Sequence, residues 1–259
     1  MEGADIMIPK LTVIISTKNR HEEFLDCLNS VLEFTYNKYD LIIIDAGSDD
    51  VKTRDLLKEF RPTLPERTTV IYLNTDVPGY AEGNNMAMKM SRTPYIFLLN
   101  NDNQVTRDWD KPLIEMLEQD KHIGWIGPIV LWGDDVVQSA GALVTKDGAS
   151  ISIAAGQKVS EIQVERIACH YLGFGMYRKD LLEQIGYLSE EYQYIYFDDT
   201  DYGLMINNAD YSVICTPLSR IYHLMSDKER ERWKNLDPYS LNQPVFLNKW
   251  KEWLLKHGK

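Results

Sequence analysis

Cysteine is scarce in this chain: Cys27, Cys169 and Cys215 are far apart and odd in number. That argues against a disulfide framework or a cysteine-built zinc site, and it fits a reducing cytoplasm. No run of ~20 apolar residues of the kind a membrane span needs is present. The opening MEGADIMIPK carries two acidic residues and no apolar core, so it does not read as a secretory signal. Positive charge is short as well. With 28 Lys and Arg against 39 Asp and Glu, the formal net charge is -11. That argues against nucleic acid as a partner, because such binding needs a basic footprint. Internal repeats, low-complexity tracts and a Pro- or Gly-rich linker are also missing. The 259 residues therefore read as one main domain over 1–225 with a helical C-terminal extension over 226–259.

What is present is a run of short apolar segments at regular intervals. LTVIIST (11–17), LIIID (41–45), TVIYLN (69–74) and YIFLL (95–99) are continuous rather than alternating, as expected for parallel strands buried on both faces. Between them come stretches with helical spacing: Phe24, Leu25, Leu28, Val31 and Leu32; a segment to about Phe60 capped by Ser48 or Asp49; and one through Met86 and Met90. Four strand–helix alternations in about a hundred residues predict an α/β fold with a mostly parallel central sheet flanked by helices. Farther on, 124–132 and 168–178 read as strands and 179–186 as a short helix. The weakly patterned 134–166 reads as a hairpin or loop.

Ligands of such sheets bind beyond the carboxyl ends of the strands. Each of the four ends carries polar residues: Thr17-Lys18-Asn19, then Asp45, then Asn74 with Gly79 and Gly83-Asn84, and finally Asn100-Asn101-Asp102. One Asn or Asp at a strand end is ordinary turn chemistry. Four along one edge favour a polar ligand cleft. A second cluster, Asp198, Asp199 and Asp201, opens a helical pattern. A helix N-terminus tolerates carboxylates, but three exceed what a cap needs. Packed together they raise one another's pKa unless a cation or donor network offsets them, which suits a general base. His223, after a late strand, reads alone as a core residue. With Asp102 it could complete a mixed oxygen and nitrogen site suited to Mn²⁺ or Mg²⁺.

In order and spacing these segments resemble an inverting family 2 glycosyltransferase of the GT-A fold. VIISTKNR resembles that family's opening strand, IIIDAGSDD its nucleotide-binding turn, and LNTDVPGYAEGNN its N-x-G-x-A-x-x-N segment. FLLNNDNQV resembles a variant DxD motif, and residues 171–213 follow the long pattern that ends in E-D-x-D. IYHL resembles the terminal metal-site histidine, and FLNKW (246–250) a frequent tail segment. Departures are Asn100 where the DxD opens, Asp198 in place of Glu, and YGLMINN where an Arg is usual. The Q-x-x-R-W motif of processive members is absent, which implies transfer of a single sugar.

The resemblance implies a nucleotide-binding half over about 10–105 and an acceptor half over about 106–225. Thr17, Asn19, Arg20, Asp45, Asn74, Gly79, Asn84, Asn100 and Asn101 would hold a nucleotide-diphosphate sugar. Asp102 and His223 would bind Mn²⁺ or Mg²⁺, and Asp199 would be the catalytic base. Asp198 and Asp201 would position that base or bind the acceptor. Gly173 and Gly175 would let backbone approach the donor sugar, with a strand bulge as the competing reading. The acceptor would be a hydroxyl of a glycan or of a lipid-linked or other molecule, as in cell-envelope polysaccharide assembly.

The tail from Lys228 onward has eight Lys or Arg against four Asp or Glu. Its Phe246, Trp250, Trp253 and Leu254 fall on one helical face. They would either pack on the main domain or rest peripherally on the inner face of a membrane. Rival functions are a non-catalytic nucleotide-sugar-binding domain and a retaining GT-A transferase. A nicotinamide enzyme or a nucleotidyltransferase would need a glycine-rich loop where STKNRHEE has none.

Overall fold

The computed structural model describes residues 8–60, 64–73, 80–224, 231 and 234–259. The four apolar runs form strands β1 (Leu11–Thr17), β2 (Tyr39–Asp45), β3 (Thr68–Tyr72) and β4 (Tyr95–Asn100). Helices α1 (His21–Phe34), α2 (Val51–Phe60) and α3 (Tyr80–Met90) lie between them. β1 pairs in parallel with both β2 and β4, and β2 with β3. The chain continues through β5 (Asn103–Val105), α4 (Asp110–Gln119), β6 (Ile123–Leu131) and β7 (Val137–Ser139). Next come the hairpin β8 (Ala142–Val144) and β9 (Ser150–Ser152), then β10 (Ile167–Cys169), β11 (Gly175–Arg178) and α5 (Lys179–Ile185). It closes with α6 (Asp198–Asn208), β12 (Ser212–His223) and a last helix, α7 (Pro238–His257).

The sheet explains why the strands are apolar throughout. Leu11, Val13 and Ile15 of β1, with Leu41 and Ile43 of β2 and Phe97 and Leu99 of β4, face α1, α2 and α4. There they meet Phe24, Leu28, Leu57 and Leu113. Ile14, Ile42, Ile44, Ile96 and Leu98 face the other way. They pack on Ala87 and Met88 of α3, Leu182 of α5 and Ile206 of α6. A strand covered on both sides has no polar face to offer.

In order the main sheet runs β10-β12-β6-β11-β4-β1-β2-β3, with β5 on β12 and β7 on β6. It is parallel in its first half and mixed in its second, because β11 runs antiparallel between β4 and β6. Residues 168–178 are therefore not the single strand expected. β10 pairs with β12 at the sheet edge while β11 sits near its centre, so the chain breaks at 170–174 to cross between them. A second correction concerns α2. Its first turn is capped by Asp50, which accepts from the backbone N–H groups of Lys52 and Thr53, rather than by Ser48 or Asp49.

α7 packs on the domain. Phe246 and Leu254 are 0% and 1% exposed, and with Trp250 they form a small core with Tyr192, Phe197 and Leu204. The face that would have met a membrane is thus taken up by the protein itself. Trp253 is partly buried and stands edge-on to His170, ring centroids 5.2 Å apart. Among the described residues no helix is long and apolar enough to cross a membrane.

Candidate active site

The carboxyl ends of β1 and β4 open onto a cavity of about 550 Å³. From the first half of the chain it is lined by Thr17, Lys18, Arg20, Ala46 and Asn100 to Asp102, and from the second by Tyr171, Gly173, Tyr177, Tyr194, Asp198 and Asp199. The sheet brings these together from both halves of the chain.

Asp102 and His223 meet because β12 runs antiparallel to β5, with His223 opposite Asn103. The Leu224 N–H donates to the Asp102 carbonyl at 2.9 Å, which ties the two strand ends together. Asp102 Oδ2 then lies 3.6 Å from His223 Nε2, and both side chains are largely buried. Arg20 Nη1 approaches the same oxygen at 3.3 Å. Burial works to raise the Asp102 pKa, but the His223 and Arg20 contacts outweigh it and hold the carboxyl below its ordinary value. Asp102 Oδ1 and His223 Nε2 have no hydrogen-bond partner among the described residues. A buried carboxylate with one oxygen unpartnered, beside a buried imidazole nitrogen without a partner, makes a donor set that a divalent cation satisfies. No group of three or more such ligands occurs among the described residues, so a cation held here would take the rest of its shell from substrate and water. The residues present fit such an ion.

The first turn of α6 presents Asp198 and Asp199 to the same cavity. Burial raises Asp198 well above the carboxylate range, and the neighbouring Asp199 charge adds to this. Burial also raises Asp199, while the Thr200 backbone N–H and hydroxyl, both donating to its Oδ1, work against the rise. Asp199 keeps part of its surface open to the cavity, and the water there lessens the push. Tyr80 also borders the cavity; burial pushes its pKa up, and the charges of Asp198, Asp199 and Asp102 add to this.

Several residues expected in the ligand site serve its framework instead. Asp45 is 3% exposed and does not border the cavity; its Oδ1 accepts the Ser48 N–H at 2.8 Å and shapes the turn whose Ala46 forms the wall. Asn19 takes a left-handed backbone, and its Oδ1 accepts from Asp49 and Asp50, so it fastens the loops after β1 and β2 to each other. Asn84 accepts from Ser16 at 3.0 Å and donates to the Tyr80 carbonyl at 2.8 Å. A side chain on Gly175 would collide with the Trp125 indole, so close packing in the sheet requires a glycine there. Gly173 does border the cavity, with open space beside it. Asp201 is fully buried and points away. It accepts from Tyr192 Oη at 3.0 Å, Trp250 Nε1 at 2.6 Å and Lys249 Nζ at 2.8 Å, which joins α6 to α7. Thr17 and Asn101 are bonded to each other at 3.0 Å on the cavity wall. Asn74 and Gly79 lie outside the described residues.

Sequence reasoning missed Gln138, whose Oε1 lies 3.2 Å from His223 Nδ1, and the aromatic wall of Tyr80, Tyr171, Tyr177 and Tyr196. Gln138 stands in the weakly patterned stretch, and nothing local marks it. The tyrosines sit among apolar residues and read there as core.

The chain matches the family model described as Glycosyl transferase family 2 over residues 12–186. It is 26% identical over 240 residues to the O-antigen biosynthesis protein RfbC of Myxococcus xanthus, covering 86% of this chain and 18% of that one. With the putative teichuronic acid biosynthesis glycosyltransferase TuaG of Bacillus subtilis (strain 168) it shares 30% identity over 112 residues, 43% of each chain. It spans less than half the length of these curated relatives. Its fold superposes on GalNAc-T7 solved with UDP, GalNAc and Mn²⁺ with a TM-score of 0.72 at 14% identity, covering 86% of this chain and 44% of that one. That likeness establishes the GT-A fold, and the family match contains Asp102 but stops before Asp198, Asp199 and His223. With about two thirds of its length matched, from β1 through α5, the chain belongs to glycosyl transferase family 2.

Proposed function

We propose that this protein transfers one sugar from a nucleotide-diphosphate sugar to an acceptor hydroxyl, with inversion at the anomeric carbon. The observation that carries the reading is that the Asp102–His223 pair and the Asp198–Asp199 pair line one cavity. The nucleoside would lie against Ile44, Ala46 and Leu73, with Lys18 and Arg20 facing the diphosphate. Asp102 and His223 would hold Mn²⁺ or Mg²⁺, which supplies electrostatic stabilisation of a departing diphosphate when bound. Asp199 takes the proton of the acceptor hydroxyl as its oxygen attacks the anomeric carbon. The bond from that carbon to the diphosphate breaks on the opposite face, and the nucleoside diphosphate leaves. Burial suits Asp199 to the role, because a carboxylate with a raised pKa is a stronger base than one in water. RfbC and TuaG are named for O-antigen and teichuronic acid biosynthesis, which supports an acceptor among cell-envelope glycans.

The test pairs a thermal-shift panel of UDP, GDP, dTDP and their sugars, with and without Mn²⁺, with donor turnover by wild type and Asp199→Asn. A preferred nucleotide sugar should stabilise both proteins. Turnover in the variant should fall by ~10²–10⁴-fold, the usual contribution of a general base. Equal turnover by the two proteins would remove Asp199 from the mechanism. Binding without transfer or hydrolysis of any donor by wild type would leave a binding domain.

A further inference from the structure

The segment that leads into the acidic turn of α6 is held in an unfavourable shape. Tyr194, Tyr196 and Phe197 have φ of 62°, 75° and 73°, the left-handed region that bulky side chains rarely enter. Such residues persist only where their surroundings over-determine them. Here Phe197 packs on Tyr239 and Phe246, and one side chain of α7 bonds the backbone itself. Asn242 is 1% exposed. The two N–H bonds of its Nδ2 are shared among the carbonyls of Gln193 at 2.9 Å, Ile195 at 2.9 Å and Tyr196 at 3.1 Å, and its Oδ1 accepts the Gln193 N–H at 2.9 Å. Four contacts from one buried amide thus span the strained stretch. Tyr194, Ile195 and Tyr196 border the cavity, and Phe197 directly precedes Asp198 and Asp199.

We infer that Asn242 is a positioning residue of the acceptor side. From α7 it fixes the backbone of 193–197 and through it the orientation of Asp199 and of the Tyr194 and Tyr196 walls. It touches no substrate itself. A second grip from the same helix supports the assignment: Lys249 and Trp250 hold Asp201 two residues beyond Asp199, so α7 anchors the turn from both sides. The inference rests on the reading of Asp199 as the base.

The experiment compares Asn242→Ala with Leu117→Ala, which opens a cavity in the core beneath α4, a core to which no residue of 193–197 belongs. Both are measured by hydrogen exchange of the 192–198 peptide, by UDP and GDP binding with Mn²⁺, and by hydrolysis of UDP-N-acetylglucosamine and GDP-mannose. Asn242→Ala should speed exchange of that peptide about tenfold or more and slow turnover about tenfold or more, as expected when a buried hydrogen-bond set is lost locally. Its nucleotide affinity should stay within about twofold of wild type. Leu117→Ala should lower thermal stability while leaving exchange of the 192–198 peptide and turnover near wild type. If Asn242→Ala does not fold, Asn242→Asp keeps the acceptor for Gln193 but loses the donors, and it should show the same exchange change. Exchange and turnover in the Asn242 variant equal to those of Leu117→Ala would overturn the inference. Wild type that hydrolyses neither sugar would count against the transferase reading, while the exchange comparison still decides whether Asn242 holds the segment.

Discussion

His223 turns its Nδ1 to the Gln138 side-chain oxygen at 3.2 Å and its Nε2 to Asp102. An amide oxygen only accepts, so when Nε2 ligates a cation the imidazole can carry its proton on Nδ1 and donate it to Gln138. Groups in this position fix the tautomer and orientation of a ligating histidine. Gln138→Leu should weaken Mn²⁺ binding, read by electron paramagnetic resonance of the free ion, by ~10–100-fold. Gln138→Glu, which still accepts from Nδ1, should keep wild-type affinity or better it. Equal affinity in the Leu variant would show that His223 needs no such partner.

The pH dependence of turnover follows from the burial of the acidic pair. A base works ionised, and burial raises the Asp199 pKa, so the rising limb of the rate should stand above the ordinary carboxylate range. The Thr200 hydroxyl stabilises the ionised form. Thr200→Val should therefore move the limb to higher pH. A limb that stays in place would remove that hydrogen bond from the account.

Asp198 makes the opposite trade, against stability. Its pKa is raised on folding, so its contribution is most favourable at low pH and is lost as pH rises through the folded-state value. Asp198→Asn removes the cost of ionising in place. The variant should gain thermal stability over wild type at pH 9 and lose that advantage at pH 4. A difference independent of pH would contradict this.

The two glycines of the 173–175 turn should behave differently. Gly175→Ala drives a methyl into the Trp125 ring and should cost about 1–3 kcal/mol in denaturant unfolding, the usual range for overpacking. Gly173→Ala meets open space on the cavity side. It should unfold within about 0.5 kcal/mol of wild type yet reduce donor turnover. Equal stability losses in both would mean that the turn is packed alike at each position.

Trp250→Phe tests the seam at Asp201. It keeps the ring but deletes the 2.6 Å donation to a fully buried carboxylate. Leaving such an acceptor short of a donor should cost about 1–3 kcal/mol. An unchanged midpoint would assign Asp201 to Lys249 and Tyr192 alone.

The sequence makes the first half of the fold legible because β1, β2 and β4 are covered on both sides, and only continuous apolar runs satisfy that burial. The break between β10 and β11 was not legible. Both segments are apolar, and only their pairing partners, β12 for one and β4 with β6 for the other, separate them. Asp102, Asp199 and His223 could be picked from local chemistry and family resemblance, and the fold brings all three to one cavity. Asp45, Asn19 and Asp201 could not be told from ligand residues, because a carboxylate or amide reads alike whether its partner is a substrate or a backbone N–H. Asn242 left no trace, since what distinguishes it is a loop nearly fifty positions upstream.

The placement of β12 has a consequence for how the protein comes into being. His223 reaches Asp102 on the final strand of the sheet, and the helix that secures α6 follows later still. During synthesis β1 to β4 emerge well before β12 and α7, and the cleft is whole only once residues through α7 have left the ribosome. A truncated product would thus be a half-shell with its apolar sheet edge bare, exposed to chaperones and proteases rather than to sugar nucleotides.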